Sequence, residues 1–391
     1  MNAIAHPLDA IQASDAIAAV TSADPYPFYA RLRAGPPLVF DPASKLWIAS
    51  RADVLREIFA NPALRVRPPA EPVPRTFAGT PAGELFGQLV RMNDGARHAA
   101  HRPVLQRLIG GIDLAAARDA VHRIAREGPI AEAPLDERLF ALPVASVALW
   151  LGFDLRELPQ VVHWVRDFVA CLSPLSNPAQ LVQAAEAAEA LLRRFEALAA
   201  ARPAAPGSVL ARLQAESSEP PSRALQANLV GLLSQTCEAT AGLVGNSVLA
   251  LARNPDLRTA LDARRDLLAS LVGEVARFDP AVHNTRRFVA TPTRVAGVEL
   301  ATGDALLLVL AAANRDPSLN PAPDRFELQR SERRSLGFGH GAHACPGEAL
   351  ACALATAGVE TLLEQGLDLD VLAQGSWRYR PSVNVRIPVF E

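Results

Sequence analysis

FGHGAHACPG, residues 338–347, sets one cysteine, Cys345, among glycines and directly ahead of a predicted helix. Pro346 suits the first position of such a helix because its missing N–H has no helical acceptor there, and Glu348 suits the first turn. The apolar-rich run 349–363 predicts the body of the helix. We therefore expect Cys345 at or next to the N-cap, where the helix dipole favours an anion and a thiolate can ligate a metal.

The glycines of this segment leave room for something flat and bulky close to the backbone. The segment fills every fixed position of a known pattern, with Phe338, Gly339, Gly341, His343, Cys345 and Gly347. It resembles the haem-binding signature of the cytochrome P450 superfamily, the haem-thiolate monooxygenases. The resemblance covers the chain from about Asp24 to Val389. It implies haem b as the cofactor, with Cys345 as the axial thiolate on the iron.

Two other interpretations of the segment stay open. Gly339, Gly341 and Ala344 fit the spacing of a dinucleotide-binding fingerprint, but that motif needs a buried strand just before it, and the polar residues 333–335 precede it here. A zinc site is the second interpretation, although the sequence lacks the close cysteine pair typical of such sites. Its candidate ligands are His340, His343, Cys345 and Cys352.

The composition is that of a globular protein with a large core. The 391 residues are 50% hydrophobic and 20% charged, with a net charge of −2, and nothing in this balance suggests nucleic-acid binding. The four cysteines are widely spaced and predict no disulfide framework. The first 20 residues lack a basic start and an unbroken apolar run, so we expect no signal peptide, no membrane anchor and a cytoplasmic location.

Local patterns predict a mostly α-helical chain with a minor β component. A strand hairpin is expected over 38–40 and 46–49, a long proline-rich loop over 66–83, and a helix over 257–278. A long helix should run from Pro220 to Leu251. Further strands are expected at 287–289, 294–298, 305–308 and 383–389. The resemblance implies one domain over 1–391 with an N-terminal arm at 1–23. That domain would be the triangular cytochrome P450 fold, with haem between the long central helix and the loop that bears the cysteine.

Glu274 and Arg277 lie three residues apart on a predicted helix and can therefore form an ion pair. Such a pair is a weak signal by itself, and its value comes from its position about seventy residues before Cys345. The resemblance implies that a third basic residue locks the pair, and Arg325 matches that position. We expect the three residues to form a buried structural cluster that fixes the loop before the cysteine.

His98 and Arg102 lie four residues apart and so project from one face of a helix. An arginine fork is well shaped to bind a carboxylate, and haem carries two propionates. The resemblance implies that His98 and Arg102 bind propionate, as do His343 and Arg287. Arg286 is a rival to Arg287 for this assignment.

In the long helix, residues 234–240 read SQTCEAT and align with the oxygen-binding segment of the family. The family usually places a threonine directly after an acid; here the acid is Glu238, but Ala239 follows it, and Thr236 replaces a usual glycine. The resemblance implies a role in proton delivery for the missing hydroxyl, so Glu238 and Thr240 are the candidate catalytic residues. Thr240 points about 100° further around the helix and cannot simply replace that hydroxyl. An alignment slip of one residue, which would pair Glu238 with Thr240, stays open.

The resemblance also implies a substrate pocket over the haem. Because His283 and the neighbouring Asn284 are polar where the family often has aliphatic residues, we expect a partly polar substrate. Core packing explains most of the candidate side chains equally well. The candidates are Phe77, Phe86, Phe168, Leu172, Val282, His283 and Val383.

The resemblance implies oxidation of a small organic substrate by O₂ and two electrons, usually a hydroxylation, in secondary metabolism. The chain carries no flavin or iron–sulfur segment, so we expect electrons from a ferredoxin and its ferredoxin reductase, and a monomer that binds neither nucleic acid nor membrane. A basic patch would attract the acidic ferredoxin, with Arg102, Arg107, Arg333 and Arg334 as its members. Two alternatives remain. One is a haem-thiolate enzyme for oxidative coupling, ring formation or peroxide-dependent oxidation without oxygen insertion, and the other is a haem-based binding or sensor protein.

Overall fold

The computed structural model describes residues 15–128 and 130–390. About 57% of the chain is helical, and the sheet component is minor, so the predicted fold class is confirmed. Of the predicted N-terminal arm, residues 1–14 lie outside the described residues, and the remainder contains a short 3-10 helix at Ala18–Thr21. Within the part of the chain that is described, we find no helix with both the length and the apolar character to cross a bilayer.

The first helices are α1 (Tyr26–Ala34), α2 (Ala52–Ala60), α3 (Pro81–Gln88), α4 (Gly95–Gly110), α5 (Leu114–Glu127), α6 (Leu135–Leu151), α7 (Leu158–Ala170) and α8 (Pro178–Ala200). They are followed by α9 (Val209–Glu216), α10 (Arg223–Arg253), α11 (Pro255–Ala263), α12 (Leu268–Phe278), α13 (Leu310–Asn314), α14 (Glu348–Glu364) and α15 (Leu369–Gln374). The strands are β1 (Leu38–Asp41), β2 (Leu46–Ala49), β3 (Leu64–Arg65), β4 (Asn284–Val289), β5 (Thr293–Val295), β6 (Val298–Leu300), β7 (Ala305–Val309), β8 (Trp377–Tyr379) and β9 (Pro388–Phe390).

Contacts divide the chain into two compact units. The first comprises residues 1–68, 245–345 and 368–391, and the second comprises 69–244 and 346–367. The first unit contains all the strands, whereas the second is built from helices. The interpretation of residues 1–391 as one domain stays a prediction.

The main sheet of the first unit has the strand order β1-β2-β7-β4-β3, in which only β2 and β7 run parallel. Strand β7 is buried on both faces, as expected for a central strand with an unbroken apolar run. Leu306 and Leu308 pack with α2 on one face, and Leu307 and Val309 pack with Tyr29 of α1 on the other. This alternation follows from the two-residue period of a strand.

The second unit has one continuous apolar core. Helix α6 is buried almost all round from Leu139 to Leu151, as its run of apolar residues predicts. The core also contains residues of α3, α4, α5, α7, α8 and α9, of the first part of α10, and Leu354 and Ala357 of α14. A Cβ atom on Gly358 of α14 would lie 3.2 Å from the Val244 side chain, so this glycine allows α14 to approach α10 closely.

Several predicted boundaries need correction. The helix predicted over 257–278 is two helices, α11 and α12, because Arg264 leaves the helical conformation (φ −142°) and ion-pairs with Asp266 in the turn between them. The long helix begins at Arg223 rather than at Pro220, because the Ser222 side chain accepts a hydrogen bond from the Leu225 amide and acts as the N-cap.

The single strand predicted over 294–298 is a hairpin of β5 and β6, turned at Ala296 and Gly297, which both have positive φ. The C-terminal strand is confined to β9, and Val385 makes only an isolated bridge to Val282. Helix α14 begins at Glu348 with Gly347 as its N-cap, so Cys345 and Pro346 precede the cap.

Glu274 is the centre of a buried ion cluster in the first unit. Its side chain and that of Arg277 are both 0% exposed and form a two-pronged pair, with N–O distances of 2.7 and 3.1 Å. Arg277 also donates to the carbonyls of Pro323 and Arg325, so the pair holds the backbone of the loop ahead of the cysteine. Burial acts to raise the pKa of Glu274, but hydrogen bonds from Arg277, the Glu327 amide and Arg333 hold it below its usual value.

The prediction that Arg325 supplies the third side chain of this cluster is wrong. The Arg325 side chain is 77% exposed and lies 3.8 Å from Glu327. Arg330 and Arg333 reach Glu274 instead, at 3.2 and 3.1 Å. The physical reason is direction: Arg325 turns its carbonyl inward to accept from Arg277 and Arg330, which leaves its side chain facing water.

We predict that Arg330→Ala destabilises the protein by about 3 kcal/mol, because it removes one partner of a buried ion cluster. The matched substitution Arg325→Ala keeps the carbonyl that the cluster uses and should change the stability by less than about 0.5 kcal/mol. Chemical denaturation of the two variants beside the wild type measures both values. A cost for Arg325→Ala equal to that of Arg330→Ala would contradict this description of the cluster.

Candidate functional site

The segment that bears the cysteine forms a tight loop in the first unit. The Cys345 amide donates to the Phe338 carbonyl at 2.8 Å, and this bond closes the loop over residues 338–345. Gly339 and Gly341 adopt positive φ values of 75° and 70°, which side-chain-bearing residues rarely adopt. Cys345 itself is exposed. The loop therefore presents a thiol at its surface on a closed, glycine-shaped backbone.

Phe59 connects Arg287 to this loop, because it contacts both of them. The sequence alone does not identify Phe59 as a site residue. A Cβ atom on Gly341 would lie 3.3 Å from the Phe59 carbonyl oxygen, so the loop rests directly on the end of α2. The Arg287 guanidinium stacks 5.0 Å from the centre of the Phe59 ring and donates to the Arg286 carbonyl. Arg287 is only 7% exposed, so this packing fixes its position. No short motif marks Phe59 in the sequence, because the contact depends on the folded sheet.

His343 and the nearby chain complete the loop. His343 ends the short 3-10 helix Gly341–His343, in which the Ala344 amide donates to the Gly341 carbonyl at 3.0 Å. On the other side of the cysteine segment, the Asn314 side chain accepts from the Leu336 amide at 2.7 Å. Leu336 is buried, and this bond anchors the start of the loop to α13.

His98 and Arg102 lie one helical turn apart on α4 in the second unit, as predicted from their spacing. Both are half-buried. The side-chain atoms Nε2 of His98 and Nε of Arg102 are each fully shielded from solvent. The two side chains therefore share one face of the helix and can bind one anionic group together.

The middle of α10 presents a partly exposed arc. Gln235, Thr236, Glu238 and Ala239 are partly exposed, whereas Ser234, Cys237 and Thr240 are buried. Thr240 is 1% exposed and faces the core, so the structure places its hydroxyl away from the arc that carries Glu238. The Thr236 hydroxyl donates to the Leu232 carbonyl one turn earlier, at 2.8 Å. Glu238 is thus the ionisable side chain of this arc.

The hydrophobic candidates for the substrate pocket belong to the cores of the two units or to their margins. Phe77, Phe86 and Phe168 are buried in the core of the second unit, where the rings of Phe77 and Phe86 meet edge to face at 5.4 Å. Leu172 packs at the edge of the same core. In the first unit, Val282 and Val383 are half-buried, and the Val383 carbonyl accepts from the Asn284 side chain at 2.9 Å. Core packing accounts for the three phenylalanines as well as a pocket would.

His283 belongs to a different structure from the predicted pocket. It is 0% exposed, its Nδ1 lies 2.9 Å from the Tyr29 hydroxyl, and its Nε2 lies 3.5 Å from Asp279. Asp279 in turn accepts from the Tyr26 hydroxyl at 2.6 Å and pairs with Arg386 at 3.1 Å. The assignment of His283 as a pocket residue is therefore wrong, because its polarity serves this buried cluster.

Burial in this cluster keeps His283 neutral. Burial lowers the pKa of His283 to about 4, against the raising effect of the Asp279 carboxylate, so the ring is neutral at pH 7. Burial alone would raise the pKa of Asp279, but Arg386 and His283 hold it well below its usual value. Arg386 also donates to the carbonyls of Val20, Ser22 and Ala23. The cluster thus ties the N-terminal segment to the C-terminal one.

The donor groups fit a haem better than the other interpretations. Cys345 offers one exposed soft sulfur on a loop whose glycines keep side chains away, and Arg287 offers a positioned cation in the same unit. Among residues 15–128 and 130–390, no three His, Cys, Asp or Glu side chains are grouped so as to hold a metal ion, and the four proposed zinc ligands form no such group. No strand directly precedes Gly339, as a dinucleotide fingerprint would require. None of the four cysteines forms a disulfide.

Comparisons with known proteins agree with this description. A family model described as Cytochrome P450 matches residues 214–365. Cytochrome P450 monooxygenase PikC of Streptomyces venezuelae is 30% identical over 382 residues, which cover 93% of this chain and 89% of that protein. The biotin biosynthesis cytochrome P450 of Bacillus subtilis is 38% identical over 149 residues, a match that spans only 38% of either chain.

Solved structures support the fold. The structure of CalO2 superposes with a TM-score of 0.79 at 24% identity and covers 94% of each chain. The structure of P450BioI in complex with an acyl carrier protein superposes with a TM-score of 0.75 at 24% identity and covers 94% of this chain and 98% of that one. At this level of identity the likeness establishes the fold.

We predict that His283 makes the stability depend on pH between about 6.5 and 4. The folded-state pKa of about 4 lies below the unfolded value, so the unfolded chain binds the proton first and stability is lost as the pH falls through this window. The loss should be on the order of 3 kcal/mol. Thermal unfolding at a series of pH values measures it, and His283→Gln should flatten the curve. The exposed control His163→Gln should keep the wild-type slope, and an equal slope in all three proteins would disprove the assignment.

Proposed function

The chain belongs to the cytochrome P450 family, and we propose that it binds haem b through Cys345 and hydroxylates a small organic substrate. It is a cytochrome P450 monooxygenase, as its relatives are. The observation that carries the assignment of the site is the closed loop over 338–345, which presents the exposed Cys345 thiol after two glycines of positive φ. Bound haem supplies iron redox chemistry, and a thiolate ligand favours cleavage of the O–O bond.

Four cationic or hydrogen-bonding side chains are proposed to bind the haem propionates. Arg287 is held by Phe59 and by the Arg286 carbonyl, which favours Arg287 over its neighbour. His98 and Arg102 offer a shared face of α4, and His343 lies two residues before the cysteine. Charged hydrogen bonds of this kind orient a carboxylate and add to its affinity.

Glu238 is proposed to deliver protons to the reaction. Its position on the half-exposed arc of α10 supports this role, and the burial of Thr240 speaks against that residue. Ala239 leaves the arc without a hydroxyl beside the acid. We propose that a hydroxyl of the substrate or a water held by it completes the proton path. The alanine at position 239 also favours a second candidate function, an oxidation such as ring formation in which no oxygen is inserted.

Electron delivery is proposed to come from a ferredoxin and its reductase, with the protein acting as a cytoplasmic monomer. The proposed basic patch is smaller than the sequence suggested. Arg333 pairs with the buried Glu274 and is not available. Arg107 and Arg334, 62% and 58% exposed, remain accessible although they pair with Glu216 and Glu332. Surface pairs of this kind are weak and can exchange for a partner's carboxylates.

We predict that Cys345→Ser abolishes the red-shifted Soret band that thiolate ligation gives the reduced, carbon monoxide-bound protein. The hydroxyl is a poor ligand for iron, so the variant should also retain less haem. Cys352→Ser is the matched control, since Cys352 lies seven residues further along in α14, and it should keep the band. Absorption spectra of the wild type and the two variants measure this. Loss of the band in Cys352→Ser but not in Cys345→Ser would show that Cys352, and not Cys345, is the ligand.

We predict that Glu238→Gln slows turnover by about 10²–10⁴-fold, because it removes a general acid–base group from the arc of α10. Ala239→Thr should raise the product formed per reductant consumed when the substrate lacks a hydroxyl near the oxidised carbon. The measurement is this ratio for the wild type and both variants, with hydrogen peroxide release as a second readout. An unchanged ratio in every protein would mean that protons take another route, and it would favour the function without oxygen insertion.

A further inference from the structure

The end of α3 and the residues that follow it, 87–93, are held against α10 within the second unit. The Asn228 side chain of α10 accepts from the Val90 amide at 2.7 Å and donates to the Gln88 carbonyl at 2.8 Å. Asn93 donates to two carbonyls of the same segment at 2.7 and 3.0 Å. The segment is therefore held by side-chain amides at both of its ends.

The same segment also packs unusually close to α10. A Cβ atom built on Gly231 would lie 2.3 Å from Cδ2 of Leu89, a distance that real Cβ atoms do not adopt. Leu89 is 0% exposed and belongs to the core of the second unit. The glycine at position 231 leaves room for the Leu89 side chain against the helix, and the hydrogen bonds of Asn228 hold the backbone of the segment there.

Arg91 lies at the centre of this fixed segment, and its guanidinium is not used by the protein. Its Nε is shielded from solvent and has no hydrogen-bond partner among the described residues, and in that part of the chain Arg91 forms no ion pair. Burial lowers the pKa of Arg91 to about 10, so the group still carries its charge at neutral pH. Arg91 is partly exposed, and a ligand that accepts hydrogen bonds from it would compensate the partial burial of its charge.

Arg91 lies within electrostatic range of the half-exposed arc of α10. The negative charge of Glu238 acts on Arg91, although the two residues form no ion pair. Asn228, Gly231, Gln235 and Glu238 follow one another at intervals of three or four residues, so they share one face of the helix. Arg91 is thus anchored over the face that ends at Glu238, next to Ala239.

We propose that Arg91 binds a carboxylate of the substrate, so that the molecule oxidised by this protein is an organic acid. The inference deepens the proposed function and rests on it, because it assigns the substrate class of the same site. A planar guanidinium matches a carboxylate with two parallel hydrogen bonds, and a neutral substrate would leave these donors unused. Glu238 limits the affinity because its negative charge repels the incoming acid.

Calorimetric titration of the holoenzyme with matched ligand pairs tests this proposal. The pairs are octanoate with octanamide and phenylacetate with phenylacetamide, which differ in charge but hardly in shape. We expect the wild type to bind at least one acid about tenfold more tightly than its amide. Arg91→Gln should lose this preference, Arg91→Lys should keep part of it, and Glu238→Gln should bind the acid more tightly. The exposed Arg97 supplies the control variant Arg97→Gln, which should behave as the wild type does.

Equal affinity for acid and amide in the wild type, or failure of both acids to bind, overturns the proposal. An undiminished preference in Arg91→Gln overturns it as well. Haem content and circular dichroism of each variant establish that it is folded. Titration measures binding without turnover. The proposal of an acid site at Arg91 and the assignment of haem to Cys345 can therefore be refuted independently of each other. A lost thiolate spectrum with an intact acid preference refutes the haem assignment alone, and an intact spectrum without the preference refutes the acid site alone.

Discussion

The carboxylate of Glu274 is the constraint on which the loop bearing the cysteine depends. A fully buried carboxylate is costly unless every oxygen is satisfied, and here Arg277, Arg330 and Arg333 all donate to it. Two of these arginines come from the chain between residues 323 and 335, so satisfying one charge fixes the path of that whole stretch. The backbone that follows reaches the closed loop over 338–345 with little freedom left. The position of the thiol therefore depends on the charge of Glu274, which lies on α12 about seventy residues before Cys345 in the sequence.

Local patterns predicted what local physics determines. The β1–β2 hairpin, the pair Glu274–Arg277 and the glycine loop around Cys345 follow from turn chemistry, helix spacing and positive φ, and the structure has all three. The sequence could not predict which arginine completes the cluster, since Arg325 and Arg330 differ only in the direction of their side chains in an irregular loop. The sequence also could not predict the buried cluster around His283, because Tyr29 and Arg386 come to it from distant segments.

The two units differ in how their buried charges are compensated. In the first unit the buried ions are compensated by one another, as in the clusters around Glu274 and Asp279. In the second unit Arg91 is partly buried, and it has no ion-pair partner among the described residues. By the proposal made above, the compensated charges of the first unit serve stability, whereas Arg91 serves the recognition of a ligand.

The contacts of Arg386 have a consequence for synthesis. The first unit is assembled from three separate stretches of sequence, and Arg386, near the end of the last one, donates to carbonyls at Val20, Ser22 and Ala23. A ribosome makes the chain from the N-terminus, so these contacts cannot form until residue 386 has been made. The stretch 69–244 of the second unit emerges much earlier and can begin to pack while the rest is being made. Until then, the apolar strands of the first unit lack the C-terminal segment that completes the unit, so the last step of its folding is the arrival of residues 368–391.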